Sequence, residues 1–180
     1  MIVPLPNIQD ILDKLGRARY FSTLDCASGY WQVPLAEEDR TKTAFSTPTG
    51  HYEYFRMPFG LKSAPSTFQR LMNSVFMGLI GTRGFVYSHD VIIFGETLQE
   101  HHTRLREVFQ KLRHFNLKNE PGKCEFLKTE LNYLGYVVTS EGVKPDPEKV
   151  KAIKNFPIPK NKTDVKSFLG LTGYYCKFIP

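Results

Sequence analysis

Two β-forming apolar runs, Gly84-Phe-Val-Tyr87 and Val91-Ile-Ile-Phe-Gly95, flank the polar triplet Ser88-His89-Asp90. β-Branched and aromatic residues on both sides of a short polar break are the pattern of a tight hairpin. Phe85, Val86, Val91, Ile92, Ile93 and Phe94 bury the arms, so the groups at the tip act from a fixed platform. A site built there needs partners from other strands, and the rest of the chain is read for them.

Upstream, Asn7 caps a helix carrying Ile8, Ile11, Leu12 and Leu15 on one face, and Gly16 ends it. Tyr20 to Asp25 reads as a strand ending on an aspartate; Ala27 to Tyr30 turns the chain, and Trp31 to Val33 runs extended. Glu37 to Arg40 is a polar helical turn, and Thr41 to Ser46 with His51 to Phe55 forms a hairpin across Thr47-Pro-Thr-Gly50. Ser63-Ala-Pro65 starts a helix over 64–79 with Ser63 as hydroxyl cap; Phe68, Leu71, Met72, Val75, Phe76 and Leu79 share its apolar stripe. After the hairpin, Leu98, His102, Leu105, Val108, Phe109, Leu112 and Phe115 recur at helical spacing. Lys123 to Leu127 and Leu131 to Thr139 read as two strands. Capped helices start near Asp146 and Thr163, separated by Phe156-Pro-Ile-Pro159.

The middle of the chain therefore has the order βαββαβ, the split-βαβ or ferredoxin-like plan of an α+β fold. Its first strand lies beside the central hairpin, which brings Asp25 next to Asp90 and makes the pair a candidate hard-cation site.

At 180 residues and 41% hydrophobic, the chain can build a real core. Neither a basic leader followed by an apolar run nor a membrane-length apolar stretch is present, so the expected location is intracellular, cytoplasmic or nuclear, with no membrane partner. Cys26, Cys124 and Cys176 are odd in number and lack a CxxC, and are read as reduced packing residues. The formal charge of +6 is lopsided: residues 1–90 hold 9 Lys+Arg against 8 Asp+Glu, and residues 91–180 hold 15 against 10. A basic half can follow a phosphate backbone, although charge alone favours solvated helix faces.

Five strings resemble, in order, the polymerase motifs of reverse transcriptases from gypsy-type (Ty3/gypsy, metavirus-like) long-terminal-repeat retrotransposons. They are Phe21 to Gln32, Arg56 to Gln69, Pro121 to Phe126, Tyr133 to Tyr136 and Ser167 to Leu171, within a resemblance running from about Pro4 to Pro180. The resemblance implies a polymerase palm with partial fingers over residues 1–140, a fingers-side hairpin at 41–62, and the start of a thumb or connection region at 141–180. It implies RNA-directed DNA synthesis on a primed RNA or DNA template from deoxynucleoside triphosphates, with two Mg²⁺ ions, or Mn²⁺ in their place.

By the same resemblance Asp25 and Asp90 are metal ligands and Tyr30 is the gate against a 2′-hydroxyl. Phe59, Gly60 and Pro65 line the nucleotide and template pocket. Lys123 lies near the triphosphate as a proton donor, and Tyr133, Leu134, Gly135 and Tyr136 grip the primer end. The family hairpin reads Tyr-x-Asp-Asp, whereas this chain reads Tyr87-Ser88-His89-Asp90, so His89 replaces a carboxylate. Imidazole is a poor exchange for oxygen toward Mg²⁺, and metal binding is expected to be weakened.

The chain also starts after the family's basic upstream fingers strands and stops short of a full thumb, RNase H or integrase. Those polyprotein regions are expected partners if the frame is longer, and impaired nucleotide binding is expected without them. The alternatives are a non-catalytic nucleic-acid-binding or partner-binding domesticated module, or a translated relic. The plainer readings make His89 a hairpin residue without a role, His101 and His102 helix-face residues, and Trp31 a core aromatic.

Overall fold

Phe21, Leu24, Ile92 and Ile93 are shut off from solvent and mark the middle of the sheet on which the chain is built. The computed structural model describes residues 8–15 and 18–178. The elements run α1 (Ile8–Leu15), β1 (Tyr20–Asp25), α2 (Glu37–Arg40), β2 (Phe45–Thr47), β3 (Gly50–Tyr52), α3 (Ala64–Val75), β4 (Gly84–Tyr87) and β5 (Asp90–Gly95). They continue with α4 (Leu98–His114), β6 (Glu125–Lys128), β7 (Glu130–Tyr133), β8 (Tyr136–Thr139), β9 (Gly142–Pro145), α5 (Pro147–Lys154) and α6 (Lys162–Gly173). Asn7 and Gly16, the expected cap and stop of α1, lie outside the described residues. No described helix is long and apolar enough to cross a membrane.

The main sheet has the order β4-β5-β1-β6, with antiparallel neighbours throughout. This is the ferredoxin-like arrangement expected of the βαββαβ order, with residues 26–63, including the β2–β3 hairpin, inserted before the first helix. Because side chains alternate along a strand, the sheet has two apolar faces. Leu24, Val91 and Ile93 pack with Phe68, Met72 and Val75 of α3 and Val108 and Leu112 of α4. Phe21, Ile92 and Phe94 pack on the other side with Ile11, Leu12 and Leu15 of α1 and with Leu131, Tyr133, Tyr136 and Val138. The latter four come from a second, three-stranded sheet, β7-β8-β9.

Several elements depart from expectation. The hairpin tip is a two-residue turn, Ser88-His89, because Tyr87 pairs with Asp90 and Asp90 is the first residue of β5. Ser63 makes no side-chain cap; Ala64 and Pro65 open α3, and Ser66 Oγ bonds the Ser63 carbonyl. The α3 helix ends at Val75, although Phe76 and Leu79 stay in the core. The stretch from Gly29 to Gln32 is a 3₁₀ turn, which leaves Trp31 partly exposed against Tyr54 and Phe59. Residues 41–43 are likewise 3₁₀, shortening the small hairpin to β2 and β3. The 131–139 strand is two strands joined by Leu134-Gly135, both with positive φ. Asp146 caps α5 as expected, accepting the Glu148 amide, whereas α6 starts before Thr163, at Lys162, and is capped by Asn161, which accepts the Asp164 amide. Of the cysteines, all free, Cys26 is buried but Cys176 is exposed and does not pack.

The α4 helix is turned relative to its apolar periodicity. Leu98, Phe109 and Phe115 are exposed, while His101, Val108 and Leu112 are buried. His101 meets the sheet at Ser22, opposite which β6 carries one extra residue, since Phe21 pairs with Lys128 and Thr23 with Glu125. Ser22 Oγ accepts the Leu127 amide at 3.1 Å and lies 3.1 Å from His101 Nε2. A buried hydroxyl and a buried imidazole thus satisfy each other across the interface.

Candidate active site

Asp25 and Asp90 face each other in the antiparallel register of β1 and β5, so their side chains leave the same face of the sheet. The two-residue tip then adds His89. One ligand atom from each of Asp25, His89 and Asp90 lies within 4.8 Å of the others. The tip is pinned from two sides. The Cys26 amide donates to the His89 carbonyl at 3.1 Å. The Gln69 side chain, fully buried on α3, accepts the Ser88 amide at 2.7 Å and donates to the Val86 carbonyl at 3.2 Å. Ser88 has a φ of 56°, a left-handed conformation rarely taken by a residue with a Cβ, and the Gln69 bond to its amide helps hold it there.

Two cavities meet at Asp25. One, of about 390 Å³, is lined by Asp25, Cys26, Tyr30, Phe59, His89 and Lys123, among others. Its aromatic wall is packed: Tyr30 lies 5.3 Å from Phe59 and 5.6 Å edge-on from Phe68. Gly29 lets that wall close, since a Cβ there would come within 2.8 Å of the Phe68 ring. The other cavity, of about 200 Å³, is lined by Asp25, Asp90, Lys123, Glu125, Tyr133 and Leu134, among others. The Lys123 ammonium, on a short 3₁₀ turn before β6, stands 3.8 Å from Asp25 Oδ1. That side chain is 67% exposed, so the pair is a loose one.

Burial raises the Asp90 carboxyl above the usual carboxylate range; the Asp25 charge acts in the same direction, and His89 and Lys123 oppose it. Burial, assisted by the Asp25 and Asp90 charges, pushes the Cys26 thiol up to about 12 and keeps it protonated. Burial also raises the Tyr133 phenol, with Asp90 and Tyr87 adding to the effect.

Of the residues expected from sequence, Asp25, His89, Asp90 and Lys123 are brought together, with Tyr30 and Phe59 on one side and Tyr133 and Leu134 on the other. Gly60 and Pro65 line neither cavity; Pro65 sits in the first turn of α3. Tyr136 is buried behind the hairpin, its hydroxyl donating to the Tyr174 carbonyl at 2.9 Å.

Three groups escaped the sequence reading. Gln69 left one signal, a polar residue beside the apolar stripe of α3. Tyr174 and Tyr175 left only their aromatic pairing. Both hold the β7–β8 turn, with Tyr174 Oη donating to the Leu134 carbonyl and Tyr175 Oη to the Gly135 carbonyl, each at 2.8 Å. Gly135, at φ 75°, would place a Cβ 2.8 Å from Tyr175 Oη. Gly135→Ala is therefore expected to break this latch and cost about 1–3 kcal/mol. Urea unfolding checks it, and an unchanged midpoint would mean that the latch does not hold the turn.

A family model described as reverse transcriptase (RNA-dependent DNA polymerase) matches residues 1–138. The retrovirus-related Pol polyprotein from transposon 297 of Drosophila melanogaster is 54% identical over 98% of this chain and 17% of its own length. That from the Drosophila transposon gypsy is 47% identical, also over 98% of this chain and 17% of its own length. The chain thus spans under a fifth of these polyproteins. Among solved structures, the foamy viral protease-reverse transcriptase in complex with RNA/DNA hybrid has a TM-score of 0.84 and 26% identity, over 97% of this chain and 24% of that one. A foamy viral protein bound to double-stranded DNA has a TM-score of 0.85 and 28% identity, over 96% of this chain and 31% of that one.

Proposed function

The chain belongs to the reverse transcriptase (RNA-dependent DNA polymerase) family, and we propose that it supplies the palm on which a retrotransposon polymerase extends a primer along a template, with synthesis attenuated at His89. The observation that carries this reading is the Asp25–Asp90 register pair with a cavity on each side. A polymerase needs two substrates to meet at one point. The cavity walled by Tyr30 and Phe59 suits a deoxynucleoside triphosphate, with Tyr30 as its gate against a 2′-hydroxyl. The cavity under Tyr133 and Leu134 suits a primer end. Lys123, shared by both, is placed to meet phosphate charge and to deliver a proton. The template is RNA or DNA, in keeping with the RNA/DNA hybrid and double-stranded DNA bound by the foamy viral proteins.

The family's divalent-metal chemistry falls to Asp25, Asp90 and His89. A pair of Mg²⁺ ions requires an oxygen shell with carboxylates to spare. Two carboxylates and one imidazole do not fit that requirement.

Single-nucleotide primer extension tests the reading. Slow addition is expected from the natural chain, about tenfold or more faster addition with Mg²⁺ from His89→Asp, and none from Asp25→Asn; tenfold corresponds to ~1.4 kcal/mol of barrier. Fast Mg²⁺-dependent synthesis by the natural chain would refute the attenuation. Extension that survives Asp25→Asn would refute the site.

A further inference from the structure

Asp25, His89 and Asp90 offer two carboxylate oxygens and one imidazole nitrogen within 4.8 Å of one another. We propose that they form a mononuclear site for a borderline transition-metal ion of the Zn²⁺ and Co²⁺ class, in preference to Mg²⁺. The proposal goes beyond polymerisation and does not require it.

The donor set comes first. Imidazole suits Zn²⁺, Co²⁺ and Ni²⁺, whereas Mg²⁺ takes oxygen and gives up its waters reluctantly. Two carboxylates also match the charge of one divalent ion and remove the repulsion between Asp25 and Asp90. Three protein ligands and an open fourth position are the arrangement of zinc sites that accept an exogenous ligand.

Geometry comes second. A tetrahedral shell with bonds near 2.0–2.2 Å places ligand atoms roughly 3.4 Å apart. The carboxylates already start from paired strands, and the exposed His89 side chain can supply the remaining closure by rotation. Its backbone is fixed by the Cys26 amide, so only the ring has to move. Ser88 Oγ lies 3.3 Å from His89 Nδ1; a ring that donates Nδ1–H there presents Nε2 as its lone pair.

An independent feature points to the same place. Tyr133 is 3% exposed and lines the cavity shared by Asp25 and Asp90, and its hydroxyl has no hydrogen-bond partner among the described residues. A buried hydroxyl without a partner is costly. A water or anion in the fourth position of the metal would satisfy it. Two neighbours do not compete strongly. Lys123 is mostly exposed and free to swing off Asp25, and the buried Cys26 thiol turns to Asn119 Oδ1 at 3.9 Å.

Titration of the chain with Co²⁺, followed by its visible absorption, and displacement by Zn²⁺ test the proposal, with no primer, template or nucleotide present. A tetrahedral-type Co²⁺ spectrum without thiolate charge-transfer absorption is expected, with Zn²⁺ binding at least about 100-fold tighter than Mg²⁺. His89→Ala should weaken Zn²⁺ about 10-fold or more and leave Mg²⁺ unchanged, and His89→Asp should shift the preference back toward Mg²⁺. Asp90→Asn supplies a second variant, expected to lose the same Co²⁺ signal, and circular dichroism confirms folding of each. A Co²⁺ spectrum or Zn²⁺ affinity unaltered in a folded His89→Ala variant overturns the proposal, as does thiolate absorption. Because metal binding is read directly, failure here leaves the polymerase reading standing, and a chain unable to extend a primer leaves this site standing.

Discussion

Gln69→Ala is expected to lower the stability of the chain by about 2–4 kcal/mol and to weaken metal binding at the hairpin tip about tenfold or more. Gln69 has no solvent exposure, and its carboxamide is shared among three partners: the Ser88 amide, the Val86 carbonyl and the Asn73 side-chain oxygen at 2.9 Å. Truncation leaves a cavity between α3 and the hairpin. It also leaves the Ser88 amide without an acceptor beside a turn already in a left-handed conformation. The tip should relax, and His89 and Asp90 should lose their fixed relation to Asp25. Urea unfolding with a lower midpoint and an unchanged slope tests the first part, and Co²⁺ titration the second. A variant as stable as the parent would show that the tip does not depend on the bridge. Gln69→Glu is a sharper probe, because it keeps an acceptor for Ser88 but loses the donor to Val86 and buries a charge. It should be no more stable than the alanine variant.

The same bridge marks the boundary of what the sequence discloses. Both arms of the hairpin, β1 and the apolar stripe of α3 are visible because each depends on a periodicity carried within a few residues. The neighbourhood of Asp25 and Asp90 follows from the order of those elements, since a βαββαβ chain has few ways to close its sheet. The Gln69 bonds span 17 and 19 residues, and a polar residue near an apolar stripe carries no sign of which distant amide it reaches. The β7–β8 turn was hidden for a different reason. Leu134 adopts φ 49°, which no local preference of leucine suggests, and tyrosines 40 residues away hold the turn. The orientation of α4 departs from its apolar periodicity, which groups His102 rather than His101 with Leu98 and Leu105. His101 is instead a core residue that meets Ser22 opposite the β6 bulge, and bulges leave no mark in a single strand's pattern.

His101 should make the fold acid-sensitive below about pH 6.5. Ser22 Oγ accepts the Leu127 amide and shares one further hydrogen bond with His101 Nε2. His101 Nδ1 has no hydrogen-bond partner among the described residues, so a proton taken up there would gain none. Burial lowers the His101 pKa, and the positive charges of His102 and Arg104 lower it further. The folded pKa therefore lies below the unfolded value of about 6.5, and the unfolded chain binds more protons between the two. Stability from this group is fully present above about pH 6.5 and is lost as pH falls through the folded pKa, with a slope of up to ~1.4 kcal/mol per pH unit. Asp90 acts with the opposite sign, since its raised carboxyl makes the folded state the better proton binder. His101→Gln can still meet Ser22 through its amide and cannot titrate, so its stability should be flat across the interval in which the parent loses stability. Urea midpoints measured at intervals from pH 8 to pH 5 compare the two chains directly. Parallel curves would place the acid sensitivity elsewhere, whereas convergence of the curves at low pH would assign it to the imidazole buried beneath the bulge.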